Sequence, residues 1–168
     1  GAGVDIITGG TGNDIITGKA GDDTLKGGSG NDTFNVDSGT DSITDLGGSG
    51  SGGESDILKV SNGATANATN IKSFTATGDT QNLGTATLTA ISTGGTIDMS
   101  SASGSAVYTI IGGAGTDNLK GDDGNDTFKI VASTEGNSDT IDGDGGSANT
   151  LDVSSGTHVL TCLLYTSD

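Results

Sequence analysis

The sequence predicts an all-β chain wound as a right-handed parallel β-solenoid of two thin sheets, interrupted by a Thr/Ser-rich β segment. Three observations predict it. Gly, Asp and an apolar residue recur in fixed phase every nine residues; large apolar side chains are scarce; and alternating Thr and apolar residues fill the stretch between two repeat blocks.

The repeat comes first. Asp5, Asp14, Asp23, Asp32 and Asp41 keep a nine-residue beat, with Ile7, Ile16, Leu25, Phe34 and Ile43 each two residues later and Gly3, Gly12, Gly21, Gly30 and Gly39 each two residues earlier. The beat stops near Asp45, resumes as GGAGTDNLK (112–120) and GDDGNDTFK (121–129), and loosens around Asp139 and Ile141. A longer duplication overlies it: GNDTF at 30–34 recurs at 124–128, and DILKVS at 56–61 is echoed by NTLDVS at 149–154. In each nonapeptide the Gly-rich half must turn sharply, because glycine reaches backbone conformations closed to other residues. The rest, such as Thr33, Phe34 and Asn35, alternates outward, inward, outward as a short strand. One apolar side chain per repeat then lines the coil.

Composition limits what else the chain can be. Leu, Ile, Val and Phe make up 33 of 168 residues, and the net charge is −16. That places the chain near the disordered class, because ordering each residue costs about 1–2 kcal/mol that apolar burial must offset. Something besides burial must hold the fold. The acid is 20 Asp against 2 Glu, with 6 Lys and no Arg, so nucleic acid is an unsuitable partner. No apolar run reaches the roughly 18 residues of a membrane span, so membrane insertion is not expected. Cys162 stands alone, which excludes an internal disulfide. The start at Gly1, without Met or a leader, reads as a piece of a longer chain.

The Asp column points to a metal. In a two-sheet coil Asp5 stacks with Asp23, Asp14 with Asp32 and Asp23 with Asp41, across strands about 4.8 Å apart. Two carboxylates at about 5 Å repel by roughly 3 kcal/mol at an effective dielectric near 20. Burying one Ile or Leu yields only about 1.5–3 kcal/mol, so the stack calls for a cation. Calcium fits: it takes about six to eight oxygens from carboxylates and peptide carbonyls, and glycine turns leave carbonyls uncovered. Zinc is disfavoured, since His158 and Cys162 lie outside the repeat, and magnesium holds its water too tightly.

GGTGNDIIT (9–17), GGSGNDTFN (27–35) and GGAGTDNLK (112–120) resemble the G-G-x-G-x-D-x-U-x nonapeptide of the RTX family of calcium-binding repeats. The resemblance implies a β-roll with several calcium ions between turns two repeats apart, about three to five in all. The implied side-chain ligands are Asp5, Asp14, Asp23, Asp32, Asp41, Asp117, Asp126 and Asp139. The implied carbonyl donors are glycines at positions one, two and four: Gly1 and Gly3, then Gly9, Gly10 and Gly12, Gly18 and Gly21, and Gly27, Gly28 and Gly30 in the first block. In the second they are Gly112, Gly113 and Gly115, with Gly121 and Gly124. Departures from the pattern are Lys19 and Asp122 at the second position, Val36 and Asp37 in place of two glycines, and an insertion before Asp139. Asp22, Asp122 and Asp123 lie off the column and read as solvated surface.

Residues 61–107 show Ile71, Ser73 and Thr75 alternating with Lys72, Phe74 and Ala76, and Thr85, Thr87 and Thr89 alternating with Ala86, Leu88 and Ala90. These read as strands of a widened, calcium-poor coil, with Leu83, Leu88, Ile91, Ile97, Met99, Val107 and Ile110 pointing inward. The organisation expected is a repeat block at 1–46, a Thr/Ser/Ala-rich spacer at 47–111, a second block at 112–160 and a tail at 161–168. The tail, TCLLYTSD, resembles translated adapter read-through and is given no functional weight.

The family resemblance implies a non-enzymatic, calcium-stabilised module of a secreted or cell-surface bacterial protein, folding outside the cell as a spacer or lattice element. Self-association or a cell-surface glycan would be its further partners. The rival expectations are the non-catalytic C-terminal part of a secreted hydrolase or toxin and, third, an ice- or glycan-binding face. No catalytic arrangement is legible, and His158 reads as an ordinary strand residue.

Overall fold

The computed structural model describes residues 1–48, 54–104, 106–131, 138–154 and, as backbone, 159–163. The first block forms β1 (Ile6–Thr11), β2 (Ile15–Thr17), β3 (Thr24–Ser29), β4 (Thr33–Val36) and β5 (Thr40–Ile43). The middle forms β6 (Ile57–Val60), β7 (Thr65–Ile71), β8 (Ser73–Thr75), β9 (Gln81–Asn82), β10 (Thr85–Ala90), β11 (Thr96–Asp98), β12 (Ser103–Gly104) and β13 (Tyr108–Gly112). The second block adds β14 (Asn118–Lys120), β15 (Thr127–Ile130), β16 (Ser138–Asp142), β17 (Thr150–Val153) and β18 (Val159–Leu163). Every strand pairing among the described residues is parallel, so the chain is a β-solenoid. Among those residues no helix is long and apolar enough to cross a membrane.

Three sheets share the strands. The first runs β1-β3-β5-β7-β10-β13-β15-β17 through both blocks; the second is β2-β4-β6-β9-β12; the third is β8-β11-β14-β16-β18. The first block therefore winds between sheets one and two, and the second between sheets one and three. Only the middle visits all three, so the widening expected there takes the form of a third face.

A bulge marks where the third face begins. Ala68 pairs with Leu88 but Ile71 with Ala90, which leaves an extra residue in β7, and Asn70 takes a left-handed φ of 60°. An inserted residue bends a strand and flips the side-chain alternation after it. The bulge brings Ile71 to the inward side at the end of β7, and the corner at Lys72 resets the alternation for β8, so Ile71, Phe74 and Ala76 are all buried while Ser73 and Thr75 are exposed.

The interior is one thin, continuous cluster. Leu25, Phe34, Val36 and Ile43 line the first block; Leu58, Ile71, Phe74, Leu88, Ile97, Met99 and Ile110 the middle; Leu119, Phe128 and Ile141 the second block. Each large buried side chain contributes about 1.5–3 kcal/mol. Two inward expectations are corrected: Leu83 and Val107 are 43% and 45% exposed. Both lie just outside a corner, where the turn and not the strand alternation sets the direction: Leu83 follows the short β9, and Val107 precedes β13. Ile91, just after β10, is only half-buried. His158 and residues 164–168 lie outside the described residues.

Candidate metal centre

The columns are built as the nine-residue beat requires. Asp5, Asp23 and Asp41 stack at the corner leading into sheet one, and Asp14 and Asp32 at the corner leading into sheet two. The backbone N–H of Asp5 donates to Asp23 Oδ1 at 2.8 Å, that of Asp14 to Asp32 Oδ1 at 2.9 Å, and that of Asp23 to Asp41 Oδ1 at 3.0 Å. In the second block the N–H of Asp117 donates to Asp139 Oδ1 at 2.9 Å, and that of Gly95 to Asp117 Oδ1 at 2.7 Å. Asp41 and Asp139 thus stack despite the departures around them.

One oxygen each of Asp23, Asp32, Asp41, Asp117 and Asp139 is therefore fixed by the neighbouring coil. Oδ2 is left over: in Asp14, Asp23, Asp41 and Asp117 it is buried without a hydrogen-bond donor. Asp5 Oδ2 meets the Gly1 amino group at 2.6 Å. A buried carboxylate oxygen left unsatisfied is costly, and burial accordingly pushes the Asp41 and Asp117 carboxyls above their usual range.

The space beside these oxygens is a cradle for an ion. A Cβ on Gly9 would lie 2.5 Å from Asp14 Oδ2 and 2.7 Å from the Gly27 carbonyl oxygen, so oxygens from two stacked turns face one gap. Cβ atoms on Gly18 and Gly27 would run into Asp23 and Asp32 Oδ2 in the same way. Gly10, Gly12, Gly21, Gly28 and Gly30 all have left-handed φ, from 104° to 131°, and Gly28 also passes directly over the Gly10 carbonyl. Lys19 holds the second position of its turn at φ 76°. Among the described residues no group of three or more His, Cys, Asp or Glu side chains converges. Any ion must then complete its shell with peptide carbonyls, which suits a hard cation such as calcium and not zinc.

The neighbouring Asn and Asp of a repeat clamp opposite ways. Asn13 Oδ1 accepts from the Asn31 N–H of the next coil at 2.9 Å, and Asn31 Oδ1 from the Ser55 N–H at 2.8 Å, whereas the Asp carboxylates reach back to the coil before. Asp22 takes the Asn role, accepting from the Thr40 N–H at 2.8 Å, so it is more than solvated surface.

The acidic loop after Asp41 contains residues that spacing did not reveal. Asp45 accepts from the N–H groups of Gly27 and Gly28, Glu54 from Gly30, and Asp56 from Asp32 and Gly47. These carboxylates close the sheet-two column by accepting the N–H groups of turn 27–32. One signal was present: Asp56 opens the DILKVS copy whose partner opens with Asn149. A further correction concerns Asp122, which is 4% exposed. It folds into its own turn, with Oδ1 accepting the Gly124 N–H at 2.7 Å.

Not every phased Asp gains an Asp neighbour. Along the sheet-one corner the register runs from Asp41 to Ala66, Ala86 and Tyr108, then to Asp126. The neighbours of Asp126 are Tyr108 on one side and Asn149 on the other. Nor do Gly113, Gly115 and Gly124 adopt the left-handed φ of their first-block counterparts.

A parallel solenoid whose Gly-rich turns hold stacked carboxylates around open cradles is a metal-binding β-roll. Residues 1–34, 8–43 and 109–128 match the RTX calcium-binding nonapeptide repeat, in four copies, and the chain carries repeats of that family. No curated protein matches the chain.

Proposed function

We propose that the chain is a non-enzymatic structural module of a secreted or cell-surface bacterial protein, a rigid spacer or lattice element whose first block locks on binding calcium outside the cell. The observation that carries this reading is the row of buried, donor-less Oδ2 atoms at Asp14, Asp23 and Asp41, the first two beside the glycine cradles of Gly9 and Gly18. Calcium would supply the missing positive charge, held by Asp5, Asp14, Asp23, Asp32 and Asp41 with turn carbonyls, and in the second block by Asp117 and Asp139. Sites of this kind, exposed to the high calcium outside cells, fold and bind in one event. Self-association or a glycan contact would fall to the outward file of sheet one, where Thr24, Ser42, Asn67, Thr87, Thr109 and Thr127 stand in register.

Calorimetric titration with calcium, followed in parallel by circular dichroism, tests the reading. The expected result is more than one ion bound per chain with a gain of β-structure. Absence of binding heat, with the same β spectrum in excess chelator, would overturn it.

A further inference from the structure

Two corners of the solenoid have the same oxygens and opposite partners. At turn 9–14 a Cβ on Gly9 would meet Asp14 Oδ2 and the Gly27 carbonyl oxygen; at turn 121–126 a Cβ on Gly121 would meet Asp126 Oδ2 and, at 3.0 Å, the Gly143 carbonyl oxygen. In the first corner Asp14 Oδ2 has no donor. In the second every acceptor is taken. The N–H of Tyr108 donates to Asp126 Oδ1 and that of Asp122 to Asp126 Oδ2, both at 2.9 Å. The Asn149 amide nitrogen donates to the carbonyls of Gly143 at 3.3 Å and Gly145 at 2.8 Å, while its own Oδ1 accepts the Asp126 N–H at 2.8 Å.

We infer that Asn149 takes the place of a calcium ion: its side-chain amide staples turn 143–149 onto turn 121–126, and Asp126 serves as a hydrogen-bond post and not as a metal ligand. The chemistry is direct. A calcium ion in such a gap gathers two peptide carbonyls and a carboxylate by charge; the amide gathers the same two carbonyls with its N–H donors and returns an acceptor to the turn below. With Asn in place of Asp, no carboxylate pair is stacked between the two coils; the carboxylate that approaches Asp126 is Asp122 of its own turn. Nearby, Lys120 Nζ lies 3.6 Å from Asp142 Oδ2 and 3.1 Å from Asp144 Oδ1, so the chain also supplies a positive partner of its own to carboxylates in this block. The consequence is selectivity within one repeat array: spacing alone makes Asp126 equivalent to Asp32, but the N–H donors of Tyr108 and Asp122 on its oxygens and the Asn stacked on it together decide whether the corner is metal-dependent.

The inference rests on the calcium reading only for its comparison corner, so the test has two arms on the full chain. The first counts ions by calorimetry. Asp126→Asn keeps the native calcium count, while Asp23→Asn lowers it; loss of an ion in Asp126→Asn overturns the inference. An unchanged count in Asp23→Asn would instead sink the calcium reading of the columns, leaving the staple to be judged by the second arm. That arm follows amide hydrogen exchange of residues 121–126 and 143–149 in excess chelator. The native chain remains protected there, and Asn149→Ala exchanges at least tenfold faster. Asn149→Asp exchanges fast in chelator and regains protection in calcium. Equal exchange in native and Asn149→Ala chains, or no protection in the native chain without metal, overturns the inference.

Discussion

The same corner of sheet one is built in two ways. Through the first block it carries Asp5, Asp23 and Asp41, joined by Oδ1 contacts, with the buried Oδ2 atoms of Asp23 and Asp41 left without a donor. Through the middle it carries Ala66, Ala86 and Tyr108, all fully buried. Both are parallel ladders with the same backbone pairing. The difference lies in what the corner does with charge. An Asp stack adds roughly 3 kcal/mol of repulsion per close pair, whereas an Ala stack adds none and lets Leu88, Ile97, Met99 and Ile110 pack behind it. One stretch of coil needs a counter-ion, and the next closes by burial alone.

The largest expected effect breaks the molecule along that line. In excess chelator, amide exchange in residues 1–43 should accelerate by about a hundredfold or more, the equivalent of about one uncompensated carboxylate pair. Residues 64–111 should keep most of their protection. Uniform loss along the chain would show that the middle has no stability of its own.

Acid should act on the same contrast with a smaller effect. Burial is the main cause that holds the Asp126 carboxyl up at about 6, against the pull of the Tyr108 and Asp122 N–H groups. Burial also raises Asp32, Asp41, Asp56, Asp117 and Asp122. A folded-state value above the unfolded one means stability that is full below about pH 4 and is lost as the pH climbs through 6. For Asp126 this is on the order of 3 kcal/mol. Urea denaturation of the chelated chain should therefore show greater stability at pH 4.5 than at pH 7. In saturating calcium the trend should reverse, because a ligating carboxylate must be ionised.

The smallest effect sharpens the comparison at its boundary. Tyr108 is fully buried with its hydroxyl unpartnered, and burial together with Asp122 and Asp126 pushes the phenol's pKa well up. Tyr108→Phe removes an unsatisfied polar group and leaves the ring packing, so it should stabilise the chain by about 1 kcal/mol. Thermal unfolding in chelator would register this as a rise of a few degrees, and a fall would place an unrecognised donor or acceptor at that hydroxyl.

How far the sequence reaches is clearest in the duplication. GNDTF at 30–34 leads into β4 on sheet two, but its copy at 124–128 leads into β15 on sheet one. DILKVS and NTLDVS likewise feed β6 on sheet two and β17 on sheet one. The repeat was legible as a solenoid, yet the face each copy occupies depends on how many corners the chain turns between them. The three-faced middle shifts that number through a bulge at Asn70, which no periodicity announces. Asp122 was misjudged for a related reason: its short carboxylate bonds within its own turn, a choice made by three-dimensional fit. Asp45 and Glu54 were missed because they contact turn 27–32 from a loop that keeps no beat.

By itself the sequence determined the strand–turn alternation, the inward Ile, Leu and Phe file and the stacking of Asp5 with Asp23 and Asp14 with Asp32, because all three follow from a fixed chemical period in a chain that must coil. Tertiary structure alone decided which stacked oxygens stay without donors. Asp23 Oδ2 finds none, whereas both Asp126 oxygens are met, by the N–H of Tyr108 in the coil before and of Asp122 in its own turn, and those neighbours are set by the path of the whole chain.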